Sequence, residues 1–327
     1  MGVVYLTTPG TQVRRKGERL EVWQGETKVD DLRLFDLERL VVLGSVQFSS
    51  QALSLLLDQG IDVAFLSARG RLRGSLVSGQ SRNVFLRLAQ FDRWRDPDFR
   101  LSFSRSVITA KISAQQRILT RYQRNHPGQL DEEAPARIRE LIGKVAAAET
   151  VEAAQGMEGA AAAIYYRQFG RMLKSVPFPG RKKHPSTDPA NALLSLGYVL
   201  LGNEIGARLE ARGFDPAVGF LHGLRYGRSS LALDVVEVFR QPVIDRLTLR
   251  LLNLRQLVPE DFEGGESGLR LGSEALKRYL SSYEEQLRSE SEGTGTPTWR
   301  ERLQAQVDSV KDMVMAGQVG AFYTWSE

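Results

Sequence analysis

The 327-residue sequence has no cysteine. Disulfides, thiolate metal sites and cysteine nucleophiles are thereby excluded. Histidine is almost as scarce, with only His126, His184 and His222, so a poly-histidine zinc site is not expected and oxygen must supply most ligands to any metal. No apolar run approaches the roughly 18–20 residues needed to span a bilayer. The start, Met-Gly-Val-Val-Tyr-Leu-Thr-Thr, lacks a basic segment followed by an apolar core and reads as a first strand, not a signal peptide. No Gly-x-x-x-x-Gly-Lys-Ser/Thr string is present to cradle a nucleotide. These absences fit a cytoplasmic protein with no membrane partner.

What is present has the composition of a globular chain, 42% hydrophobic and 25% charged. The net charge of +5 and pI of about 9.4 are a mild bias overall. From Ser81 to Asn125, however, ten Lys/Arg face three Asp, so this stretch alone carries more than the whole excess. Of 44 basic residues 35 are arginine, whose planar fork grips phosphates. High-GC codon usage also raises arginine, so composition by itself leaves nucleic acid as an even choice of partner.

Residues 1–80 read as β-rich. Short candidate strands occur at 3–8, 12–15, 19–23 and 28–34, and Leu40-Val41-Val42-Leu43-Gly44 reads as a buried strand. Ser49 or Ser50 caps an amphipathic stretch that ends at Gly60. Two more strands, 61–66 and 71–77, flank the Ala68-Arg69-Gly70 turn. From about Arg82 the period changes, and helices of 10–20 residues follow, separated by Pro/Gly breaks. Ser289 to Pro297 has the Ser/Glu/Gly/Thr/Pro composition of a mobile linker, and a last helix is expected from Thr298 to Met315. The expected class is α+β: a small N-terminal β-rich domain (1–80), a larger all-helical domain (81–288), then a linker and C-terminal helix (289–327).

Four polar residues sit where polar residues are costly. Asp234 and Glu237 lie three apart in Ser230-Leu231-Ala232-Leu233-Asp234-Val235-Val236-Glu237-Val238-Phe239-Arg240, which as a helix puts both on one side. So apolar a helix should be buried, and two buried acids need a cation; Arg240 is one candidate. His222 ends the short apolar segment Gly219-Phe220-Leu221-His222, and Glu158 precedes Gly159-Ala160-Ala161-Ala162-Ala163. Small residues there would let another helix approach and bury the carboxylate, although a helix-N-terminal acid favoured by the macrodipole is the plainer reading. Acids that converge with an imidazole make a hard-to-borderline divalent metal site, one able to activate an oxygen nucleophile and stabilise a phosphoryl transition state. Arg181, Lys182 and Lys183 form a basic cluster, and Arg225, Arg228, Arg240 and Arg246 flank the acid–histidine segment, as a phosphate-binding cleft requires. Tyr165, Tyr166 and Tyr198 are read as core packing before base stacking.

At these residues the sequence resembles the CRISPR-associated integrase, protein one of the Cas set, which inserts new spacers into CRISPR arrays. The strings that carry the resemblance are Glu158-Gly159-Ala160-Ala161; Asp188-Pro189-Ala190-Asn191-Ala192-Leu193-Leu194-Ser195-Leu196-Gly197-Tyr198; Gly213-Phe214-Asp215-Pro216 with Gly219 and His222; and Arg228 to Arg240. They fall in the family's order and spacing. The resemblance implies an N-terminal β domain used for dimerisation and a helical catalytic domain. It implies Mg2+ or Mn2+ held by Glu158, His222 and Glu237, with Asp234 assisting, so that all four are expected catalytic residues. It also implies a homodimer, double-stranded DNA (protospacer and CRISPR repeat) as substrate, and a small second Cas protein as partner.

The expected function is therefore a metal-dependent DNA integrase and endonuclease that inserts spacer DNA by 3′-hydroxyl attack on a phosphodiester. A non-catalytic nucleic-acid-binding scaffold with structural acids is the alternative. A metal-dependent hydrolase of small phosphates would instead need a closed pocket and show no salt-sensitive DNA binding.

Overall fold

A computed structural model of the chain describes residues 2–67, 72–77, 83–182, 185–265 and 268–325. The chain forms two compact units, Met1–Gln80 with Leu271–Glu284, and Ser81–Arg270 with Glu285–Glu327. The fold is α+β, with the β-rich part first. Among the described residues no helix is long and apolar enough to cross a membrane.

The first unit holds two four-stranded sheets. In one, β1 (Gly2–Leu6), β5 (Leu37–Leu43) and β7 (Asp62–Leu66) run parallel, and β8 (Leu72–Leu76) pairs antiparallel to β7. β5 is buried at every position but one, as a central parallel strand covered on both faces must be. The other sheet orders β4 (Thr27–Arg33), β3 (Arg19–Gln24), β2 (Thr11–Lys16) and β6 (Val46–Phe48). Helix α1 (Ser50–Asp58) connects β6 to β7, and the Ser49 side chain accepts from Ala52 N–H to cap it. Val13, Leu20, Leu40, Leu56 and Val63 form the centre of this core. The expected strands are present; the Ala68-Arg69-Gly70 turn lies outside the described residues.

Leu271–Glu284 belongs with this unit, although helical periodicity alone had grouped it with 81–288. It contains most of α9 (Ser273–Arg288), and Tyr5 Oη donates to Glu284 Oε1 at 2.7 Å. Periodicity identifies a helix but says nothing about which distant strand it meets.

The second unit is built from α2 (Val84–Arg95), α3 (Pro97–Asn125), α4 (Ala134–Ala146), α5 (Val151–Met172), α6 (Pro189–Arg212), α7 (Ser230–Phe239), α8 (Arg246–Asn253) and α10 (Trp299–Ala316). A π-helical turn, Arg240–Asp245, joins α7 to α8; Pro242 within it has no N–H to continue the α-helical ladder. The segment expected to be a mobile linker is instead closed on itself. Ser291 N–H donates to Pro297 O (3.0 Å), Trp299 N–H to Ser289 O (3.1 Å), and Arg302 reaches Ser291 and Glu292. Its polar composition supplies these internal partners. The C-terminal residues pack behind the same helices: the Tyr323 ring stacks on Phe239 at 5.7 Å, Phe322 meets Phe103 edge-on, and Trp325 is buried.

Candidate active site

Helix α7 is buried along nearly its whole length, Asp234 and Glu237 included. The segment carrying His222 is held against it by close approach. A Cβ at Gly219 would lie 2.7 Å from Ser230 C and 2.8 Å from Asp234 Oδ2, so only glycine fits. Phe220, next in the chain, is buried between Phe99 and Phe103 of α3 at ring distances of 5.2 and 4.7 Å. The buried Gln90 side chain ties the preceding loop, donating to Asp215 O and Val218 O and accepting from Asp215 N–H.

Asp234 is fully buried and accepts four hydrogen bonds. Oδ2 takes Phe220 N–H (2.6 Å) and Leu221 N–H (3.0 Å); Oδ1 takes His222 N–H (2.8 Å) and faces His222 Nδ1 at 2.7 Å. A carboxylate only accepts, so Nδ1 must carry a proton, and in the neutral ring Nε2 then holds the lone pair. That lone pair sits 3.9 Å from Glu237 Oε1, on a ring still partly open to solvent.

Glu237 faces two cations. Arg240 Nη2 lies 3.1 Å from Oε1 and Lys111 Nζ 2.6 Å from Oε2. Burial alone would push the Glu237 carboxyl up, but Arg240 and Lys111 outweigh it and hold it down at about 2. The same Lys111 ammonium pairs with Glu158 Oε1. Burial would lower the Lys111 ammonium's pKa, but Glu237 and Glu158 raise it above the usual lysine range. Glu158 comes from the third turn of α5, whose N-cap is Thr150, so it is no helix-terminal acid. The alanines after it are split: Ala161 is buried, but Ala160 and Ala163 are exposed, and the Glu158 side chain keeps 23% of its surface.

The structure therefore gathers Glu158, Glu237 and His222 from α5, α7 and the turn before α7, and Asp234 behind His222. Lys111 of α3 stands between the two glutamates. Among the described residues no three His, Asp or Glu side chains close on one point as metal ligands do. The chemistry of the set nevertheless suits Mg2+ or Mn2+: two carboxylates and one imidazole nitrogen. Glu237 Oε2 is buried and makes no aligned hydrogen bond, its only close partner among the described residues being the Lys111 ammonium at 2.6 Å. Asp234 is saturated by its four donors and fits an orienting role, fixing the imidazole as carboxylates do behind metal-bound histidines.

The basic residues divide by role. Arg240 belongs to the site itself, its guanidinium 4.6 Å from the centre of the Tyr198 ring. Arg181 holds its loop through Asn191 and Ser195, and Arg228 holds its own through Ser230 and Gly223 O. Lys182 and Arg225 are exposed; Lys183 and His184 lie outside the described residues. Arg246 packs 4.7 Å from the Trp325 ring centre, and burial, with Arg121 and Arg250 nearby, lowers its pKa to about 10. The basic excess of 81–125 is not an exposed stripe. Arg87, Arg93, Arg100 and Arg105 each donate to a backbone carbonyl, because helix ends and loops leave carbonyls that a long guanidinium can reach. An exposed track lies instead on α5, where Gly156, Gly159, Ala160 and Ala163 share a face with Arg167 and Arg171. No atom lies within 4 Å of a Cβ added at Gly156 or Gly159, so packing does not demand glycine at either.

The tyrosines are core. Tyr165 and Tyr198 donate to the buried Asp245 at 2.9 and 2.5 Å, and the Tyr166 and Tyr198 hydroxyls meet at 2.9 Å. Burial pushes the Asp245 carboxyl up to about 6 despite these donors.

The chain as a whole has relatives among known proteins. The model of CRISPR associated protein Cas1 matches residues 4–285. A CRISPR-associated endonuclease Cas1 of Rhodospirillum rubrum is 35% identical over 303 residues, covering 89% of this chain and 87% of its own length. A solved CAS1 protein from Thermotoga maritima superposes with a TM-score of 0.85 at 24% identity, over 100% of both chains. A chain in a Cas6-RT-Cas1–Cas2 complex gives a TM-score of 0.86 at 25% identity, with 100% of this chain spanning 36% of that one. With the family model covering most of its length and the histidine and acids gathered on the helical unit, the chain belongs to the Cas1 family of CRISPR-associated proteins.

Proposed function

We propose that this chain is a divalent-metal-dependent DNA endonuclease and integrase, in which the 3′-hydroxyl of a DNA fragment attacks a phosphodiester of a CRISPR array. The observation that carries the reading is that Glu158 and Glu237, from two separate helices, meet on one buried ammonium, with His222 Nε2 3.9 Å from Glu237 Oε1. These three residues would hold Mg2+ or Mn2+. Bound there, the ion would lower the pKa of the attacking hydroxyl or water and offset charge on the phosphoryl transition state.

The chain's own groups do the rest. Asp234 keeps His222 in one tautomer and one orientation. Arg240 keeps a fixed positive charge against Glu237. The smooth face of α5, with Arg167 and Arg171, and the exposed Lys182 and Arg225 would follow a duplex backbone without reading its sequence. Water in place of the 3′-hydroxyl would give nuclease activity at the same site. The names of the relatives support the partners: an endonuclease in Rhodospirillum rubrum, and a complex that includes Cas2. On this reading the chain forms a homodimer through its β-rich unit and joins a small second Cas protein on double-stranded protospacer and repeat DNA.

The test is cleavage of end-labelled DNA in Mn2+, with a chelator control and Glu158→Gln. Divalent-dependent cleavage lost in the variant is expected; cleavage that persists in both controls would refute it. One observation favours the scaffold reading: Lys111 and Arg240 already balance Glu158 and Glu237, as structural acids require. That reading predicts DNA binding with no divalent-dependent chemistry.

A further inference from the structure

We propose that Lys111 is a built-in cation that closes the carboxylate site in the free protein and must withdraw before a divalent ion can enter. The inference rests on the metal-dependent reading above. Lys111 Nζ pairs with the same two carboxylates, Glu158 and Glu237, that would ligate the ion. Two cations cannot share that seat without strong like-charge repulsion at low dielectric. The two carboxylates that Lys111 and Arg240 touch are already balanced by them, and Asp234 behind His222 is one further acid. An ion added to the unchanged group would leave net positive charge beneath a partly buried surface.

The two cations are not equally able to leave. Arg240 is pinned by Glu237 and by the Tyr198 ring under its guanidinium. Lys111 carries a point charge on a flexible four-carbon stem with three rotatable donors. Its Nζ donates to Glu158 and pairs with Glu237 Oε2. Neither it nor Arg240 makes an aligned hydrogen bond to Glu237, so the difference between the two cations lies in the flexible stem of the lysine. Lysine is thus the cation that yields. Its ammonium, once displaced, remains next to the site and available to a DNA phosphate, so metal and DNA should each tighten the other's binding.

The test measures Mn2+ binding to the intact chain by electron paramagnetic resonance, without DNA, in wild type and Lys111→Met. The expected result is Mn2+ binding at least about tenfold tighter in the variant. Equal or weaker binding would overturn the inference, because Lys111 would then support the site. A second measurement needs no variant: amine labelling of wild type read by mass spectrometry. Lys111 should be protected without Mn2+ and labelled at saturating Mn2+. Labelling unmoved by bound Mn2+ would overturn the inference and leave the metal reading standing. Mn2+ bound by neither protein would overturn both.

Discussion

Replacing Asp234 should cost the fold far more than replacing His222 beside it. Its carboxylate is the sole acceptor shown for three consecutive backbone N–H groups, those of Phe220, Leu221 and His222, and it is fully buried. Asp234→Ala would leave these donors unpaired. Each buried unsatisfied group costs about 1–3 kcal/mol, and some water can enter beside the partly open His222, so about 4 kcal/mol is a fair total. That should lower Tm by about 8–16 °C, at about 2–4 °C per kcal/mol for a unit of this size. Asp234→Asn should not rescue it, since an amide NH2 would face N–H donors. His222→Ala is the matched control. It removes a partly exposed ring while Asp234 keeps its backbone partners, so its cost should stay within about 1 kcal/mol. The assay is a thermal melt followed by far-UV circular dichroism. A melting temperature for Asp234→Ala within about 3 °C of His222→Ala would show that the cradle does not hold this turn.

Asp245 gives a pH test. Its folded pKa of about 6 exceeds the ordinary 3.8, so the folded state holds a proton that the unfolded state has released. Its contribution is full below pH 3.8 and is lost as pH rises through about 6, a change of about 3 kcal/mol. Asp245→Asn should flatten this part of the stability–pH curve in a urea titration; an unchanged slope would refute it. Trp325→Ala should cost about 3–5 kcal/mol in the same titration, since the ring is buried and packed under Arg246; a neutral result would mean the Trp325 ring does not brace α8. Arg225→Ala and Lys182→Ala should each reduce the slope of log affinity for DNA against log salt by about 0.9 without moving Tm, and unchanged slopes would remove both from the DNA path.

Local patterns made much of this legible. Ser49 and Thr298 announced the starts of α1 and α10 because a side-chain oxygen before an amphipathic run caps its first turn. Asp234, Glu237 and His222 stood out because each breaks an apolar run. Lys111 did not, although it too lies in one, Val107-Ile108-Thr109-Ala110-Lys111-Ile112. A lone lysine on a helix normally reads as solvated, and only its meeting with Glu158 and Glu237, far along the chain, gives it a role. Arg240 was legible as a partner for the acids because it is three residues from Glu237 on one helical side. The α5 track was not, because small residues signal close packing as readily as open surface, and burial alone separates the two.

The most direct measurement of the central proposal is strand transfer by the purified protein in Mn2+, using DNA that ends in a 3′-hydroxyl or in a 3′-deoxy terminus, and a CRISPR-repeat target. Joined product is expected only with the 3′-hydroxyl, and none from Glu158→Gln, His222→Ala or Glu237→Gln, provided each variant still melts cooperatively and binds DNA. Joined product at wild-type level from a folded His222→Ala or Glu158→Gln would contradict the assignment of the chemistry to this site.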